Sequence, residues 1–452
     1  MRQWEAASWQ AGRSQSEVIA QAGRAVAQTA LRLTKPGDEI LILAGRGHNG
    51  DDARAAQPHL SNREVRLVDV TQPSVPDLGR PRLIIDGLFG IGLNRPLDAS
   101  WSGLIEQINA AGLPILAIDV PSGLNADTGE PQNIALRARV TVTLGAPKTG
   151  LLRPSSYPFT GRLELASDIG LIPCPFDSDL KWTQPEDFAD FPPARRIDGH
   201  KGTFGHVAIV AGSEGYHGAA VLSARAALRA SPGLVSVFCA QEAYLPVASQ
   251  LQAAMVHPFQ GEAPLPGTTT ALVIGPGLAS RKLGPAWKEF ANQHWKTSPH
   301  PVIVDASALE WIEPGPIPPN STRLITPHPG EAARLLGTQS SAILDHRVES
   351  LRKLSQRYGD SWVVLKGHQT LIGRGSGDVF VNSSGNPWLA QGGSGDVLAG
   401  FLGGLLAQRS LQNDPLKTTR YAIWAHGAAA DRLTARRTPW TIDDLLGEIG
   451  FT

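Results

Sequence analysis

The strongest local signal of the C-terminal half is Gln391-Gly-Gly-Ser-Gly-Asp396, which is followed by the Gly- and Leu-rich run 397–406. Glycines let backbone amides approach an anion closely, and the helix that the Leu-rich run predicts would point its positive end at the same place. A carboxylate there can act as a base beside a stabilised phosphoryl group, or it can simply cap the helix.

Other motifs of this half each follow a predicted strand. They are Ile274-Gly-Pro-Gly-Leu278, Val304-Asp-Ala306, Ile325-Thr-Pro-His-Pro-Gly-Glu331 and Leu365-Lys-Gly-His-Gln-Thr370. Ligands collect at the carboxyl ends of parallel strands, so we expect these loops and the glycine loop to form one site. Taken singly, Lys366 is equally well explained as a surface lysine, and His328 as a solvated loop histidine.

Apolar runs alternate with helix-length segments along the whole chain, which predicts an α/β fold with mainly parallel sheets flanked by helices. The predicted strands are 39–44, 65–70, 83–85, 115–120 and 140–144, then 206–211, 234–239, 271–274, 302–304, 323–325 and 362–365. The alternation breaks in a Pro-rich stretch. We therefore predict a Rossmann-like domain over 1–175, a linker over 176–195 and a second domain over 196–452.

Bulk composition excludes several classes of protein. The chain has 452 residues, with 41 Lys plus Arg against 41 Asp plus Glu, so it lacks the basic excess of a nucleic-acid or membrane-surface binder. Two cysteines, Cys174 and Cys239, make neither a disulfide framework nor a cysteine metal site. The polar first 15 residues and the absence of a long apolar run predict neither a signal peptide nor a membrane span, and we expect a cytoplasmic protein.

Three loops of the N-terminal half follow predicted strands and carry polar side chains. They are Gly45-Arg-Gly-His-Asn-Gly-Asp-Asp52, Asp86-Gly-Leu-Phe-Gly90 and Asp119-Val-Pro-Ser-Gly123. Asn49, Asp86 and Ser122 would supply oxygen ligands with little formal charge, which suits a hard, weakly charged cation. Turn formation alone would also explain Asp86 and Ser122.

The C-terminal half resembles the ADP/ATP-dependent NAD(P)H-hydrate dehydratases of the ribokinase-like superfamily. The matching motifs run from His200-Lys-Gly-Thr-Phe-Gly-His206 to Gly392-Gly-Ser-Gly-Asp396 in the family's order, with Ser307 where the family more often has Asp. The resemblance implies contacts to the hydrated nicotinamide nucleotide from Ala219, Ala220, Gly277, His328 and the catalytic Asp396. It implies contacts to the adenine nucleotide from Lys366, Gly367, His368, Gln369, Thr370 and Gly395.

This resemblance also implies a reaction. The damaged substrate carries a hydroxyl on C6 of its dihydropyridine ring, and phosphate is a better leaving group than hydroxide. ADP would donate a phosphoryl group with the help of Mg²⁺, Asp396 would accept the hydroxyl proton, and elimination would release AMP and phosphate.

Over residues 14–170 the chain resembles the NAD(P)H-hydrate epimerases, on the three loops above and on Lys148-Thr-Gly150. The resemblance implies K⁺ held by Asn49, Asp86 and Ser122, a catalytic and substrate-binding Asp119, and conversion of the R hydrate to the S hydrate. Further substrate contacts are implied for His48, Asn49, Gly50, Asp51 and Asp52, and for Gly90, Ile91, Gly92, Leu93, Asn94, Arg95 and Pro96. His48, Asp51 and Ala53 depart from the family's usual glycine loop.

Two alternatives remain at this stage. The altered loop at 48–53 is also compatible with a non-catalytic N-terminal binding or dimerisation module beside an active dehydratase. A small-molecule kinase would share the Gly-x-Gly-Asp string, although the fused N-terminal half and Thr326-Pro-His-Pro-Gly-Glu331 disfavour it. We expect a homo-oligomer, of an order that the sequence does not fix, acting on hydrated NADH and NADPH.

Overall fold

The protein is described by a computed structural model that covers residues 1–73, 77–261, 264–436 and 439–450. The chain divides into two compact units, Met1–Asp177 and Ser178–Thr452. Each is an α/β layer structure, which confirms the predicted fold class. The segment 176–195 was expected to be a linker, but part of it forms a strand of the second unit's sheet, so the structure differs there.

The first unit has one parallel sheet with helices on its faces. Its strands are β1 (Glu39–Ala44), β2 (Glu64–Asp69), β3 (Leu83–Gly87), β4 (Ile115–Ile118), β5 (Val140–Leu144) and β6 (Arg162–Ala166). Its helices are α1 (Arg2–Gln10), α2 (Gln15–Leu33), α3 (His48–Ala56), α4 (Ala99–Ala110) and α5 (Tyr157–Thr160). Buried aliphatic runs such as 40–43 make these strands, since a parallel sheet is covered on both faces.

The strand order in this sheet is β2-β1-β3-β4-β5-β6, and all pairs are parallel. The chain moves outward from β1 to β2 and then resumes on the other side of β1 with β3. A crevice opens at such a reversal, outside the carboxyl ends of the two central strands. The loops after β1 and β3 are those that carry Asn49 and Asp86, so the fold places them together.

The second unit is larger and its sheet is mixed. Its strands are β7 (Leu180–Trp182), β8 (His206–Val210), β9 (Leu234–Ala240), β10 (Met255–Phe259), β11 (Ala271–Ile274), β12 (Val302–Val304), β13 (Arg323–Ile325), β14 (Trp362–Leu365), β15 (Leu371–Gly373) and β16 (Val379–Val381). Its helices are α6 (His217–Arg229), α7 (Gln241–Ala248), α8 (Pro285–Thr297), α9 (Pro329–Leu336), α10 (Ser340–Asp345), α11 (Arg347–Arg357), α12 (Ser394–Ala407), α13 (Pro415–Arg436) and α14 (Ile442–Glu448).

The strand order in the second sheet is β10-β9-β8-β11-β12-β13-β14-β15-β16-β7. The block from β10 to β14 is parallel, β15 is antiparallel to both of its neighbours, and β7 pairs with β16. The carboxyl ends of β8, β11, β12, β13 and β14 therefore lie side by side along one edge. The ends of β11, β12, β13 and β14 each lead into one of the sequence motifs.

Helix α12 packs closely on α6 because its glycines carry no side chain. A Cβ at Gly400 would lie 2.0 Å from the carbonyl oxygen of Ser223, and one at Gly404 would lie 2.6 Å from that of Ala227. From Val397 onward the residues of α12 are buried. Each leucine so buried contributes about 1.5–3 kcal/mol, which fixes the helix whose first turn carries Asp396.

In the described part of the chain, no helix combines the length and the apolar character that crossing a membrane requires.

Candidate active sites

An ion pair lies at the edge of the second sheet where the parallel strands end. Asp305 follows β12, and its Oδ1 accepts a hydrogen bond from Lys366 Nζ at 2.8 Å and from Thr326 Oγ1 at 2.7 Å. Lys366 follows β14, so the structure brings three strand-end motifs into direct contact. The lysine was expected to contact the adenine nucleotide, and in the structure its ammonium is paired with Asp305.

Asp396 sits beside this pair, on the first turn of α12. Burial and the negative charge of Asp305 raise the pKa of Asp396 to about 6, while Lys366 acts in the opposite direction. A carboxyl group with that pKa is mostly ionised at neutral pH and still basic enough to accept a proton. This is the arrangement expected of a general base rather than of an ordinary helix cap.

Two residues of neighbouring helices contact the backbone around Asp396. Ser223 Oγ donates a hydrogen bond to the carbonyl of Asp396 at 3.0 Å, and the buried imidazole of His426 on α13 lies against the backbone of Ser394. Burial lowers the pKa of His426 to about 4, so its imidazole is neutral. The sequence motifs did not point to His426, because it lies 30 residues beyond the glycine loop in the middle of a helix.

The first turn of α12 faces the Asp305–Lys366 pair. A Cβ at Gly395 would come within 3.6 Å of Lys366 Nζ and 3.9 Å of Asp305 Oδ2, so the glycine backbone lies directly over the pair. The first amides of a helix have no intrahelical acceptor and carry its positive end. An anion such as a transferring phosphoryl group would be stabilised there, next to the base.

His328 caps α9. Its Nδ1 accepts hydrogen bonds from the amides of Gly330 at 3.0 Å and Glu331 at 3.3 Å, and Glu331 Oε2 accepts one from the His328 amide at 2.8 Å. Glu331 Oε2 in turn lies 3.9 Å from Lys366 Nζ. The structure therefore links His328 to the ion pair through Glu331, with half of the imidazole still exposed.

The residues of the 366–370 loop differ in how exposed they are. Gly367 and His368 are exposed, whereas Gln369 is buried, with neither amide atom of its side chain hydrogen-bonded among the described residues. Arg347 holds the loop by donating to the carbonyl of His368 at 2.6 Å. An adenine nucleotide would thus meet the backbone of this loop rather than the Gln369 amide.

The expected substrate contacts at the start of α6 and in the loop after β11 are neighbours. A Cβ at Gly277 would lie 2.8 Å from the Ala219 Cβ, and Ser213 Oγ donates to the Gly277 carbonyl at 2.7 Å. Gly277 has φ +65°, which favours glycine. Ala220 is fully buried under this contact, so only Ala219 of the two alanines reaches the surface.

Magnesium would have to arrive with the nucleotide. The described residues contain no group of three or more His, Cys, Asp or Glu side chains able to hold a metal ion. Asp305 and Asp396 are carboxylates at the place where phosphates would bind. This donor set fits Mg²⁺, which is commonly held by one or two carboxylates plus phosphate oxygens.

In the first unit a cavity of about 400 Å³ opens at the sheet edge between β1 and β3. Seven of the residues expected to bind the substrate line it: His48, Asn49, Asp52, Gly90, Ile91, Gly92 and Asp119. Helix α1 covers part of it with Met1, Arg2, Glu5 and Trp9, and Arg2 donates to the Ile91 carbonyl at 2.7 Å. The polar pattern of the N-terminus did not predict this contribution.

Asp119 forms a buried ion pair with Lys148 at this cavity. Its Oδ1 also accepts hydrogen bonds from the Leu144 amide at 2.9 Å and the Thr143 hydroxyl at 3.4 Å. Its Oδ2 accepts none from the described residues. Asp119 has φ +64°, a strained conformation for a residue with a side chain, and such strain is often found at functional sites.

Asp52, on α3, is the second buried carboxyl of this cavity. It is only 7% exposed and has no hydrogen bond or ion pair among the described residues. Burial, followed by the negative charges of Asp119, Asp51 and Glu5, raises the pKa of Asp52 to about 8. The carboxyl is therefore protonated at neutral pH.

Asp86, Ser122 and Asn49 meet around the 88–90 loop. Asp86 accepts hydrogen bonds from Ser122 Oγ at 2.6 Å and the Ser122 amide at 2.8 Å, and Asn49 Nδ2 donates to the Phe89 carbonyl at 2.9 Å. Asp86 is 0% exposed, has no ion pair among the described residues, and burial raises its pKa to about 6. A buried carboxyl without a cationic partner, beside amide, hydroxyl and carbonyl oxygens, fits a monovalent cation.

Several expected substrate contacts lie outside the cavity. Gly50 has a packing role, since a Cβ there would lie 2.0 Å from the Gly45 carbonyl oxygen. Asp51 pairs with Arg54 at 3.0 Å, and Arg54 also pairs with Asp69 at 2.7 Å. The remaining ones, Leu93, Asn94, Arg95 and Pro96, follow the lining residues in an outer loop and are mostly exposed.

Comparison with known families supports the division into two units. The family described as NAD(P)H-hydrate dehydratase matches residues 207–449, and the one described as YjeF-related protein N-terminus matches residues 15–78 and 71–150. The bifunctional NAD(P)H-hydrate repair enzyme Nnr of Coxiella burnetii is 34% identical over 466 aligned residues, covering 96% of this chain and 93% of that protein.

Two solved structures resemble the second unit. The ADP/ATP-dependent NAD(P)H-hydrate dehydratase of Bacillus subtilis, co-crystallised with ATP and Mg²⁺, is 29% identical, with a TM-score of 0.51 over 57% of this chain and 91% of that one. A ribokinase-like superfamily protein of Enterococcus faecalis is 22% identical, with a TM-score of 0.52 over 61% of this chain and 95% of that one. The second likeness shows a ribokinase-like fold.

Proposed function

This chain belongs to the family of bifunctional NAD(P)H-hydrate repair enzymes, and we propose that each unit performs one of the family's two reactions with the residues described above. The second unit dehydrates the S hydrate of NADH or NADPH, and the first unit interconverts the R and S hydrates. The observation that carries the dehydratase is Asp396, a buried carboxyl beside the Asp305–Lys366 pair and the open end of α12.

In the dehydratase, Asp396 accepts the proton of the C6 hydroxyl as that oxygen attacks the terminal phosphoryl group of the nucleotide. Lys366 favours the ionised form of this carboxylate, whereas Asp305 raises its pKa and so makes it a stronger base. The first amides of α12 stabilise the phosphoryl group in transit. Phosphate then leaves from C6, C5 loses a proton, and the ring regains its C5–C6 double bond. Bound Mg²⁺ would neutralise charge on the nucleotide phosphates.

ADP is the proposed donor, so that AMP and phosphate are released. The Bacillus subtilis relative was crystallised with ATP, which makes the choice between the two nucleotides a matter for experiment. The exposed backbone at 366–370 and Gly395 are proposed to contact this nucleotide. The hydrated nicotinamide nucleotide would lie on the other side of Asp396, against Ala219, Gly277 and His328.

In the first unit, Asp119 with its ion pair to Lys148 is proposed to act on the C6 hydroxyl from the floor of the cavity. Potassium, held by Asn49, Asp86 and Ser122, would offset the buried charge of Asp86 and fix the loop at 88–90. The exposed loop at 93–96 is proposed to contact the outer part of the substrate. This catalytic cavity favours an epimerase over a purely structural N-terminal module.

A cytoplasmic location is proposed with this function, and the two free cysteines fit a reducing compartment. A homo-oligomer also remains a proposal. Membranes and nucleic acids are not expected among its partners, since the formal net charge is zero.

The test follows absorbance at the reduced-nicotinamide band after the full chain is mixed with pure S hydrate and Mg²⁺. We expect recovery of the band with ADP and with ATP at different rates, and none without nucleotide. The R hydrate should be consumed at a rate that depends on the first unit, above the rate of spontaneous interconversion. No recovery with either nucleotide would overturn the dehydratase assignment.

A further inference from the structure

Asp52 is unusual among the buried carboxyl groups of the first unit. Asp86 accepts three hydrogen bonds and Asp119 pairs with Lys148, whereas Asp52 has no partner among the described residues. Asp52 lines the same cavity as Asp119 and can reach a ligand bound there.

The charges around Asp52 come from every element that faces it. Glu5 lies on α1, Asp51 on α3 and Asp119 after β4, and all three disfavour a second negative charge, while Lys148 after β5 opposes them. Arg2, Arg46 and His48 also line the cavity. Lys148 is engaged by Asp119, so the ionised partner of this pair of carboxyls is Asp119 and the neutral one is Asp52.

We propose that Asp52 is a catalytic acid of the epimerase, which donates its proton to the ring nitrogen N1 while Asp119 accepts the proton of the C6 hydroxyl. This inference rests on the proposed epimerase function and assigns to Asp52 a chemical role beyond binding. Two carboxyl groups held in opposite protonation states are the usual means of combining acid and base chemistry at one pH.

In the proposed reaction the ring opens at the C6–N1 bond and then closes again. The C6 hydroxyl loses its proton to Asp119, its oxygen forms a carbonyl with C6, and the electrons of the C6–N1 bond move to N1, which takes the Asp52 proton. Rotation about the C5–C6 bond presents the other face of the aldehyde. N1 then attacks C6, returning one proton to Asp52, while Asp119 returns the other to the oxygen.

Ring opening is favoured over loss of water because of the base in the cavity. Expulsion of the hydroxyl would leave a cationic ring whose C5 proton Asp119 could remove, and that would complete dehydration without a nucleotide. Opening the C6–N1 bond keeps the oxygen on C6. During this step one proton leaves Asp52 and another arrives at Asp119, so the two carboxyls never carry two negative charges together.

The experiment compares the full chain with its Asp52→Asn variant at constant KCl, starting from the R hydrate and subtracting the spontaneous rate. Asp127→Asn is the matched control, because Asp127 is an exposed carboxyl outside the cavity. Dehydration of the S hydrate by the same preparations reports on the second unit. Binding of NADPH to each variant, measured by fluorescence, reports on the cavity.

We expect the wild-type epimerisation rate to fall as the pH rises through about 8, because Asp52 then loses its proton. Asp52→Asn should be about 100-fold slower and lack this alkaline limb, with NADPH affinity within about threefold of wild type. The Asp127→Asn profile should match wild type. In water enriched in ¹⁸O, the product of one turnover should retain its original oxygen.

Two results would overturn the proposal while leaving the epimerase in place. One is an Asp52→Asn variant that departs from the prediction, because it either keeps more than about a third of wild-type activity or is slow but keeps the alkaline limb. The other is uptake of ¹⁸O in every turnover, which would mean that the C6–O bond breaks. A wild-type chain that does not accelerate interconversion at all would instead overturn the epimerase function, and the role of Asp52 with it.

Discussion

The two units place a similar group of residues at the edge of a parallel sheet and use it differently. In each, an aspartate on a helix that follows a glycine loop lies near an aspartate–lysine ion pair: Asp52 with Asp119 and Lys148, and Asp396 with Asp305 and Lys366. The pKa of Asp52 is raised to about 8 and that of Asp396 to about 6. Burial leads in both, but more negative neighbours act on Asp52.

The chemical role of each carboxyl is therefore set by its neighbours rather than by its motif. Asp396 is ionised at neutral pH and suits a base, while Asp52 is protonated and suits an acid. In both groups a lysine opposes the rise in the pKa of the helix aspartate. Among the causes that shift the pKa of Asp52, the charge of Lys148 has the smallest effect. Removing one charge from either group is therefore expected to change the chemistry of that group.

The largest expected effect comes from removing the base of the second unit. Asp396→Asn keeps the shape of the side chain and cannot accept a proton, so S-hydrate dehydration should fall by about 10³-fold or more. R–S interconversion by the same chain should be unchanged. The measurement is the two rates side by side, with ADP binding followed by calorimetry. A variant that retains a tenth of the dehydratase rate would contradict the assignment.

A smaller effect is expected when the base is kept and its lysine is removed. Lys366→Met takes away the one charge that lowers the pKa of Asp396, so that pKa should rise above 6 and the acid limb of dehydration should move to higher pH. The rate at pH 7 should fall by roughly 10- to 100-fold and recover in part at pH 8. A uniform loss at every pH would mean that Lys366 serves only to hold the nucleotide.

The smallest effect is expected at Asp51, one of the three residues by which the glycine loop departs from the family's usual loop. Arg54 pairs with its carboxylate, and Asp51 does not line the cavity. Asp51→Gly should therefore change the epimerisation rate by no more than about threefold, as is usual for a half-exposed ion pair. A hundredfold gain would instead mean that the natural aspartate at position 51 impairs the first unit. It would favour the non-catalytic alternative for that unit.

The sequence predicted the elements whose side chains follow one simple pattern. Strands with uniform apolar runs, such as 40–43 and 302–304, were placed correctly, and so was α12. Strand β6, Arg162–Ala166, was missed because it lies at the edge of the sheet and alternates polar with apolar residues. Helix α1 was missed because its buried face has only Trp4 and Ser8.

Residues that act through a distant partner could not be predicted in this way. Lys148 was quoted as part of a motif, but its pairing with Asp119 spans 29 residues, and that of Lys366 with Asp305 spans 61. Only the fold brings them together. The pairing of Asp51 with Arg54 could have been predicted from the sequence, since residues three apart on a helix are neighbours. The protonation of Asp52 depends on burial, which a motif does not reveal.

One measurement tests the contrast between the two carboxyls directly: the pH dependence of both reactions, recorded on a single preparation of the full chain between pH 5 and pH 9. The dehydration rate should rise through about pH 6, where Asp396 ionises, and then stay level. The interconversion rate should be level there and fall through about pH 8, where Asp52 ionises. Dehydration undiminished at pH 5, or two profiles with the same limbs, would contradict the division into one base and one acid.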